Sequence, residues 1–235
     1  KTLARLRDVT FRTTLPERVP RQRDYRADGN DKTATMATYV FDSFDGMTVS
    51  IKTRRPDGAP RPMPTLAFAV QPDATSTFSG GGSSRPRVSE GLATAAVEVR
   101  NTGATSVGPG YLWTARRTYP LLGQTLPERQ TSDLLAAVRL LREEPATGPI
   151  AVYGQGYTAP LAVYAAVLDP QIAEIVLADP PGTHEDPVTP EFLGVLRFGD
   201  LPQNLALVYP RPITFVGQMP EAYQWTKQLY EKLGA

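Results

Sequence analysis

The sequence contains no cysteine and a single histidine, His184, in 235 residues. Without a thiol there can be no disulfide, no cysteine nucleophile, no iron–sulfur cluster and no thiolate zinc site. One imidazole excludes any metal centre that needs two. A serine–histidine–acid site stays open only if His184 is its base. Charge of one sign is also lacking: 25 Lys and Arg face 24 Asp and Glu, a formal charge of +1. That balance provides no general field for nucleic acid or for an acidic membrane surface. No apolar run approaches the roughly 18–20 residues of a membrane-spanning helix, and no signal-peptide pattern is visible. A chain that opens on Lys1 rather than Met is expected to be a processed or excised piece.

Proline is abundant, with 23 residues, and 19 glycines accompany it; this predicts many turns and tight connections. Residues 1–37 are rich in arginine and proline and read as a connector, with a short solvated helix around Leu3 and Leu6. Residues 38–235 read as one domain. TYVFDSFDGMTVSIKTRRP has the alternation of a β-hairpin turning at Asp45-Gly46. Buried strands are predicted at 64–70, 94–100, 148–154, 172–181 and 210–217. A helix is predicted over TSDLLAAVRLLREEP, capped at Thr131 or Ser132 and stopped by Pro145. Others are predicted over YTAPLAVYAAVLDP, around PQNLALVY, and over 221–234. The segment 71–90, with its SGGGSS, reads as a flexible loop without the Lys-Ser/Thr of a phosphate loop. Strands alternating with helices, in apolar runs, predict an α/β fold with a mostly parallel sheet covered on both faces.

Ligands of such sheets bind beyond the carboxyl ends of the strands. The most informative such loop is Gly154-Gln155-Gly156-Tyr157-Thr158, where a buried strand turns sharply into an alanine-rich helix. Its glycines also suit a dinucleotide fingerprint, but the strand is too late in the unit and no acidic residue stands where a ribose needs one. Asp179, Glu185 and Asp186 are candidate ligands for a hard cation, although three carboxylates in one loop are ordinarily solvated, and no metal is expected. Trp113 and Trp225, with Tyr111, Tyr119 and Tyr157, are candidates for a sugar-binding face, or for packing.

GQTLPERQTSDLLAAVRLL, IAVYGQGYTAPLAVYAAVLDPQIAEIVLADPP and FLGVLRFGDLPQNLALVYPRPITFVG resemble, in order and spacing, the α/β-hydrolase superfamily. More narrowly they are similar to bacterial acetyl xylan esterase-type enzymes, over roughly residues 38–233. The resemblance implies a three-layer α/β/α sandwich, cut short at its C-terminal edge. It implies that the Gly-x-Ser-x-Gly elbow of the family falls on Gly154-Gln155-Gly156-Tyr157-Thr158. Gly156 then stands where the nucleophilic serine belongs, at a position whose positive φ glycine accepts without steric cost. Glu221 is the only carboxylate where the family's acid is expected, and the loop that brings the histidine is missing. His184 follows a different strand. Tyr157 and Thr158 are the remaining hydroxyls near the elbow, with no base in view.

The expectation is therefore a catalytically silent hydrolase-like domain, with no cofactor and a structural or accessory role. Its partner would be an adjacent hydrolase module or another chain, since some acetyl xylan esterase-like proteins carry a degenerate second module. The family resemblance favours an extracytoplasmic setting. Two other readings stand beside it. One is an ester hydrolase completed from outside these spans. The other is a module binding a polysaccharide or an acyl ligand, with Gln71, Gln155, Tyr157 and His184 around the vestigial pocket.

Overall fold

The computed structural model describes residues 2–12, 19–31, 33–72, 86, 91–107 and 109–234. Helix α1 (Thr2–Leu6) runs on into a π turn, Arg7–Phe11, and precedes β1 (Gln22–Asp31), β2 (Ala34–Asp42) and β3 (Thr48–Pro56). Next come β4 (Met63–Ala69), β5 (Ala93–Glu98), α2 (Pro109–Leu121), α3 (Leu126–Arg142) and β6 (Thr147–Gln155). The chain ends with α4 (Ala159–Leu168), β7 (Glu174–Ala178), α5 (Leu201–Leu205), β8 (Ile213–Val216) and α6 (Gln224–Leu233). The eight strands form one sheet in the order β1-β2-β3-β5-β4-β6-β7-β8. From β5 to β8 every pairing is parallel, and β1, β2 and β3 extend the sheet by antiparallel pairing. This is the predicted α/β architecture, including the hairpin, whose turn holds Gly46 at φ +86°.

The parallel strands are apolar on both faces, as strands with packing on each side must be. One face meets α3, α4 and the start of the chain through Ala67, Val97, Val152 and Leu177 against Leu134, Leu141, Leu161 and Tyr164. The other face carries a smaller cluster of Leu66, Phe68, Val70, Ala96, Tyr153 and Ala178. Most of the predicted 71–90 loop lies outside the described residues. No helix among the described residues is long and apolar enough to cross a membrane.

Four elements differ from expectation. The stretch 1–37 holds core and sheet residues: Leu6 and Phe11 are buried, β1 pairs along β2, and position 37 falls inside β2. β1 is polar along its length, so its strand state comes from backbone pairing and carries no alternation to read. Helix α2 was hidden in a presumed connection because its side chains are largely exposed, including Tyr111, Trp113 and Leu121. Helix α3 starts at Leu126, with Thr125 and Glu128 closing a reciprocal capping box. Thr131 and Ser132 lie inside it and bond back to the carbonyls of Pro127 and Glu128. Finally, β8 was expected to be buried but is half-exposed and exposed in alternation, because among the described residues it pairs with β7 only and lies at the sheet edge.

A buried ion pair joins the antiparallel and parallel halves. Arg100, just past β5, donates to Asp133 of α3 from its main-chain N (2.9 Å), Nε (2.8 Å) and Nη2 (2.7 Å). The Ser43 hydroxyl also donates to Asp133, at 2.5 Å, and Arg100 reaches Asp45 of the β2–β3 turn at 2.8 and 3.0 Å. Burial opposes the Arg100 charge, but the hydrogen bonds and negative charges of Asp133 and Asp45 raise its pKa regardless. Removing one member of such a pair strands the other in a low dielectric. Asp133→Ala is therefore expected to lower the free energy of urea unfolding by about 3–5 kcal/mol; a change under about 1 kcal/mol would show that Asp45 alone suffices.

Candidate active site

The turn after β6 is built like a nucleophile elbow. Gly156 holds φ +49° and opens a 3-10 turn, Gly156–Thr158, that leads directly into α4. A Cβ on Gly154 would lie 2.5 Å from the Ala159 Cα and 2.6 Å from the Thr158 carbonyl oxygen. Strand and helix approach so closely there that only glycine fits. A Cβ on Gly156 would meet nothing within 4 Å. Its glycine is required by the left-handed backbone alone, and there is room for a side chain where a nucleophile would stand.

The neighbouring hydroxyls are committed. Thr158 Oγ1 accepts from Gln155 N (3.0 Å) and from Gln71 Nε2 (3.2 Å), and donates to the Gln155 carbonyl (3.1 Å). A hydroxyl has one proton and two lone pairs, so Thr158 has nothing left for a substrate. Gln71, from the loop after β4, also donates to the Gln155 carbonyl at 2.6 Å and ties that loop to the elbow. Tyr157 points into the protein and donates to Gln130 Oε1 at 3.1 Å, while Gln130 Nε2 donates to the Arg100 carbonyl at 3.0 Å. Burial pushes the Tyr157 phenol up to about 12, so it is neutral and a poor nucleophile near neutral pH. The structure thus gathers Gln71, Gln155, Tyr157 and Thr158 around Gly156.

It does not bring His184 there. His184 Nε2 lies 2.6 Å from the Tyr164 hydroxyl, which accepts from Asn204 Nδ2 at 3.1 Å. The phenol and Nε2 therefore share one hydrogen bond, whose direction follows the tautomer of the ring. Tyr164 sits eight residues beyond Gly156, about 12 Å along a helix axis. The ring stacks on Tyr164 at 5.7 Å and meets Phe192 at 5.6 Å, and Phe11 completes the cluster at 5.4 Å from Tyr164. Asp200 is near, but its Oδ1 accepts from the His184 main-chain N at 2.7 Å and not from the ring. The expected surface-loop histidine is half-buried because this aromatic cluster holds it. Burial lowers its pKa to about 4 against the opposing charge of Asp200. Nδ1 makes no hydrogen bond within ordinary limits, although the Pro190 carbonyl slightly favours the protonated ring.

The other candidates disperse. Glu221 is exposed and starts the turn ahead of α6. Asp179 directly follows Ala178, the β7 partner of Gln155, and has φ +44°. Asp186 is used in a local turn with Val188 N. Among the described residues no group of three His, Asp or Glu side chains is placed to hold a metal ion. Trp113 is exposed on α2 and Trp225 on α6, while Tyr157 turns inward. Sequence reasoning missed Gln130, the residue that fixes Tyr157; nothing in the sequence distinguishes it from other polar residues of α3.

No protein-family model and no curated protein sequence matches the chain. Solved structures do. A Bacteroides fragilis protein assigned as an acetyl xylan esterase matches with a TM-score of 0.78 at 14% identity, over 100% of this chain and 71% of its own. A glucuronoyl esterase from Solibacter usitatus matches at 0.67 and 14% identity, over 99% of this chain and 79% of its own. Acetyl xylan esterase 1 from a Thermoanaerobacterium species matches at 0.60 and 14% identity, over 100% and 93%. The chain has the α/β-hydrolase fold. At these identities the likeness speaks for the fold alone.

Two predictions follow from the geometry. Gly154→Ala is expected to cost about 2–3 kcal/mol through overpacking, and Gly156→Ala only about 1–2 kcal/mol through backbone strain; chemical denaturation of both variants gives the order. The pH dependence is set by two opposed groups. His184 is depressed from 6.5 to about 4, so its contribution is present above pH 6.5 and lost as pH falls through about 4. Glu128 of α3 is raised from 4.5 to about 7 by burial, against the N–H groups of Leu193 and Thr125. Its contribution is present below pH 4.5 and lost as pH rises through about 7. The two nearly cancel in the wild type, whose stability is expected to be flat from pH 5 to 6.5. His184→Phe should tilt that profile downward with rising pH and Glu128→Gln upward; parallel profiles for all three proteins would contradict both assignments.

Proposed function

We propose that this chain is a catalytically silent hydrolase-like domain with a structural or accessory role beside an active carbohydrate esterase module. The observation that carries the reading is the state of the elbow. Its backbone is intact, its central residue is Gly156, and the hydroxyls beside it are fully engaged or neutral and buried. A hydrolase without nucleophile and base keeps only binding and oxyanion stabilisation. The carbohydrate esterase context rests on the names of the solved neighbours. The setting would be extracytoplasmic, with 1–37 leading in from the active module even though β1 within it is stitched to the sheet.

Purified chain is expected to show no turnover of p-nitrophenyl acetate or acetylated xylan above mock purifications. Gly156→Ser should fold, at a cost of about 1–2 kcal/mol for the strained φ, and remain inactive, because His184 is held by Tyr164. The reading fails if the wild-type chain turns over either ester and Tyr157→Phe or Thr158→Val abolishes that activity.

A further inference from the structure

The antiparallel extension has a second face that the elbow does not use. Alternation along β2 and β3 buries Tyr39, Phe41, Val49 and Ile51 in the core and turns Thr38, Val40, Ser50 and Lys52 to the opposite side. Register then sets rows of side chains across the strands. Asp24, Val40, Ser50 and Glu98 form one row, and Arg26, Thr38 and Lys52 the next. Together with Thr48, Ala104 and Thr105 they line a cavity of about 460 Å³, within the roughly 300–1,000 Å³ of small-molecule sites. β3, at its centre, lies three strand spacings, about 14 Å, from the elbow strand β6.

Charge around this cavity is matched in pairs. Lys52 Nζ meets Glu98 Oε1 at 2.5 Å, and Arg26 Nε meets Asp28 Oδ1 at 2.6 Å. Glu98 is only 7% exposed. The turn at 103–105 closes over it so tightly that a Cβ on Gly103 would lie 2.6 Å from its Cδ. A phosphate or carboxylate ligand therefore meets no net positive field, and a polyamine meets two cations already in place. The hydroxyls narrow the choice further. Thr38 Oγ1 donates to Asp28 Oδ2 (2.5 Å), Ser50 Oγ to Glu98 Oε2 (2.9 Å) and Thr48 Oγ1 to Asp42 Oδ1 (3.4 Å). Thr105 Oγ1 donates to the Thr102 carbonyl at 3.0 Å. Carboxylates and carbonyls only accept, so the direction of each bond is fixed, and a hydroxyl has one proton and two lone pairs. With their protons turned to the protein, these hydroxyls offer lone pairs to the cavity. Asp24 adds a carboxylate to the same lining. What fits is an uncharged ligand rich in O–H donors, with an apolar surface for Val40 and Ala104. A sugar ring has both, hydroxyls at its edge and C–H groups on its face.

We propose that this cavity binds a neutral saccharide. The ring lies with its C–H face on Val40 and Ala104. Its hydroxyls donate to Ser50, Thr48 and Asp24, and one of its oxygens accepts from the Arg26 guanidinium. The site is separate from the elbow, so it stands whether or not the domain is catalytically silent.

The test is an NMR titration of the whole chain, labelled at valine and alanine methyls, with xylobiose, cellobiose and maltose. Each is added up to about 20 mM, a range that covers millimolar affinity. At least one disaccharide is expected to shift the Val40 and Ala104 methyls saturably and to leave Val188, exposed on the loop after β7, unmoved. Arg26→Gln and Ser50→Ala each remove one hydrogen-bond partner and should weaken that affinity about threefold to tenfold. The Arg26 side chain is 70% exposed, so Arg26→Gln is expected to keep the wild-type fold. Digalacturonate and spermidine, titrated in parallel, report on anionic and cationic ligands. The proposal is overturned if no neutral disaccharide moves the Val40 and Ala104 methyls. It is also overturned if either charged probe binds there more tightly, or if both variants bind as the wild type does.

Discussion

The buried carboxylate of Asp133 is the point on which the two halves of this molecule depend. It is fully enclosed in α3, and it is satisfied only because Arg100 and Ser43 arrive from different strands to donate to it. Arg100 spends its remaining donors on Asp45, which fixes the β2–β3 turn against the parallel sheet. One helical turn before Asp133, Gln130 takes the Arg100 carbonyl and the Tyr157 hydroxyl together. The elbow is thus held by the same network that joins the antiparallel extension to the parallel core. A buried charge with this many partners resists piecemeal change, since the loss of any one leaves others desolvated.

Two separate backbone demands fix the glycines of this elbow. Gly154 is required because the α4 backbone passes 2.5 Å from where its Cβ would be. That is a packing demand, indifferent to catalysis. Gly156 answers a different demand, a positive φ that any other residue bears as strain. An active hydrolase accepts that strain in order to present a hydroxyl. Where none is presented, glycine removes the strain and leaves the turn unchanged. Both glycines are thus accounted for by what the backbone needs.

Legibility in the sequence followed the same division. β4, β6 and β7 are apolar on both faces and could be read directly. The Thr125-Leu126-Pro127-Glu128 capping box was also written in the sequence, yet the longer apolar stripe drew the start of α3 inward to Thr131. β1 and α2 gave no signal, because one is a polar edge strand and the other an exposed helix, and neither needs a periodic apolar face. β8 was misread for the opposite reason: an apolar run tells of burial or of an open edge equally well, and only the order of strands decides. At the site, Gly156 was visible by position. The confinement of His184 was not, because Tyr164, Asn204 and Phe192 converge on it from separate elements.

Perturbed acidity is often taken to mark an active site, and here the separation of cause from chemistry can be followed residue by residue. His184, Glu128 and Tyr157 all have strongly shifted pKa values, and for each the first cause is burial. In a catalytic centre such a shift is useful when the group also faces a cleft with a free lone pair or proton. Glu128 instead accepts from Thr125 N and Leu193 N, His184 shares a hydrogen bond with Tyr164, and Tyr157 donates to Gln130. Each shift belongs to a group already bound to the protein itself. Desolvation sets the direction of each shift, and each group spends its hydrogen bonds on partners within the fold.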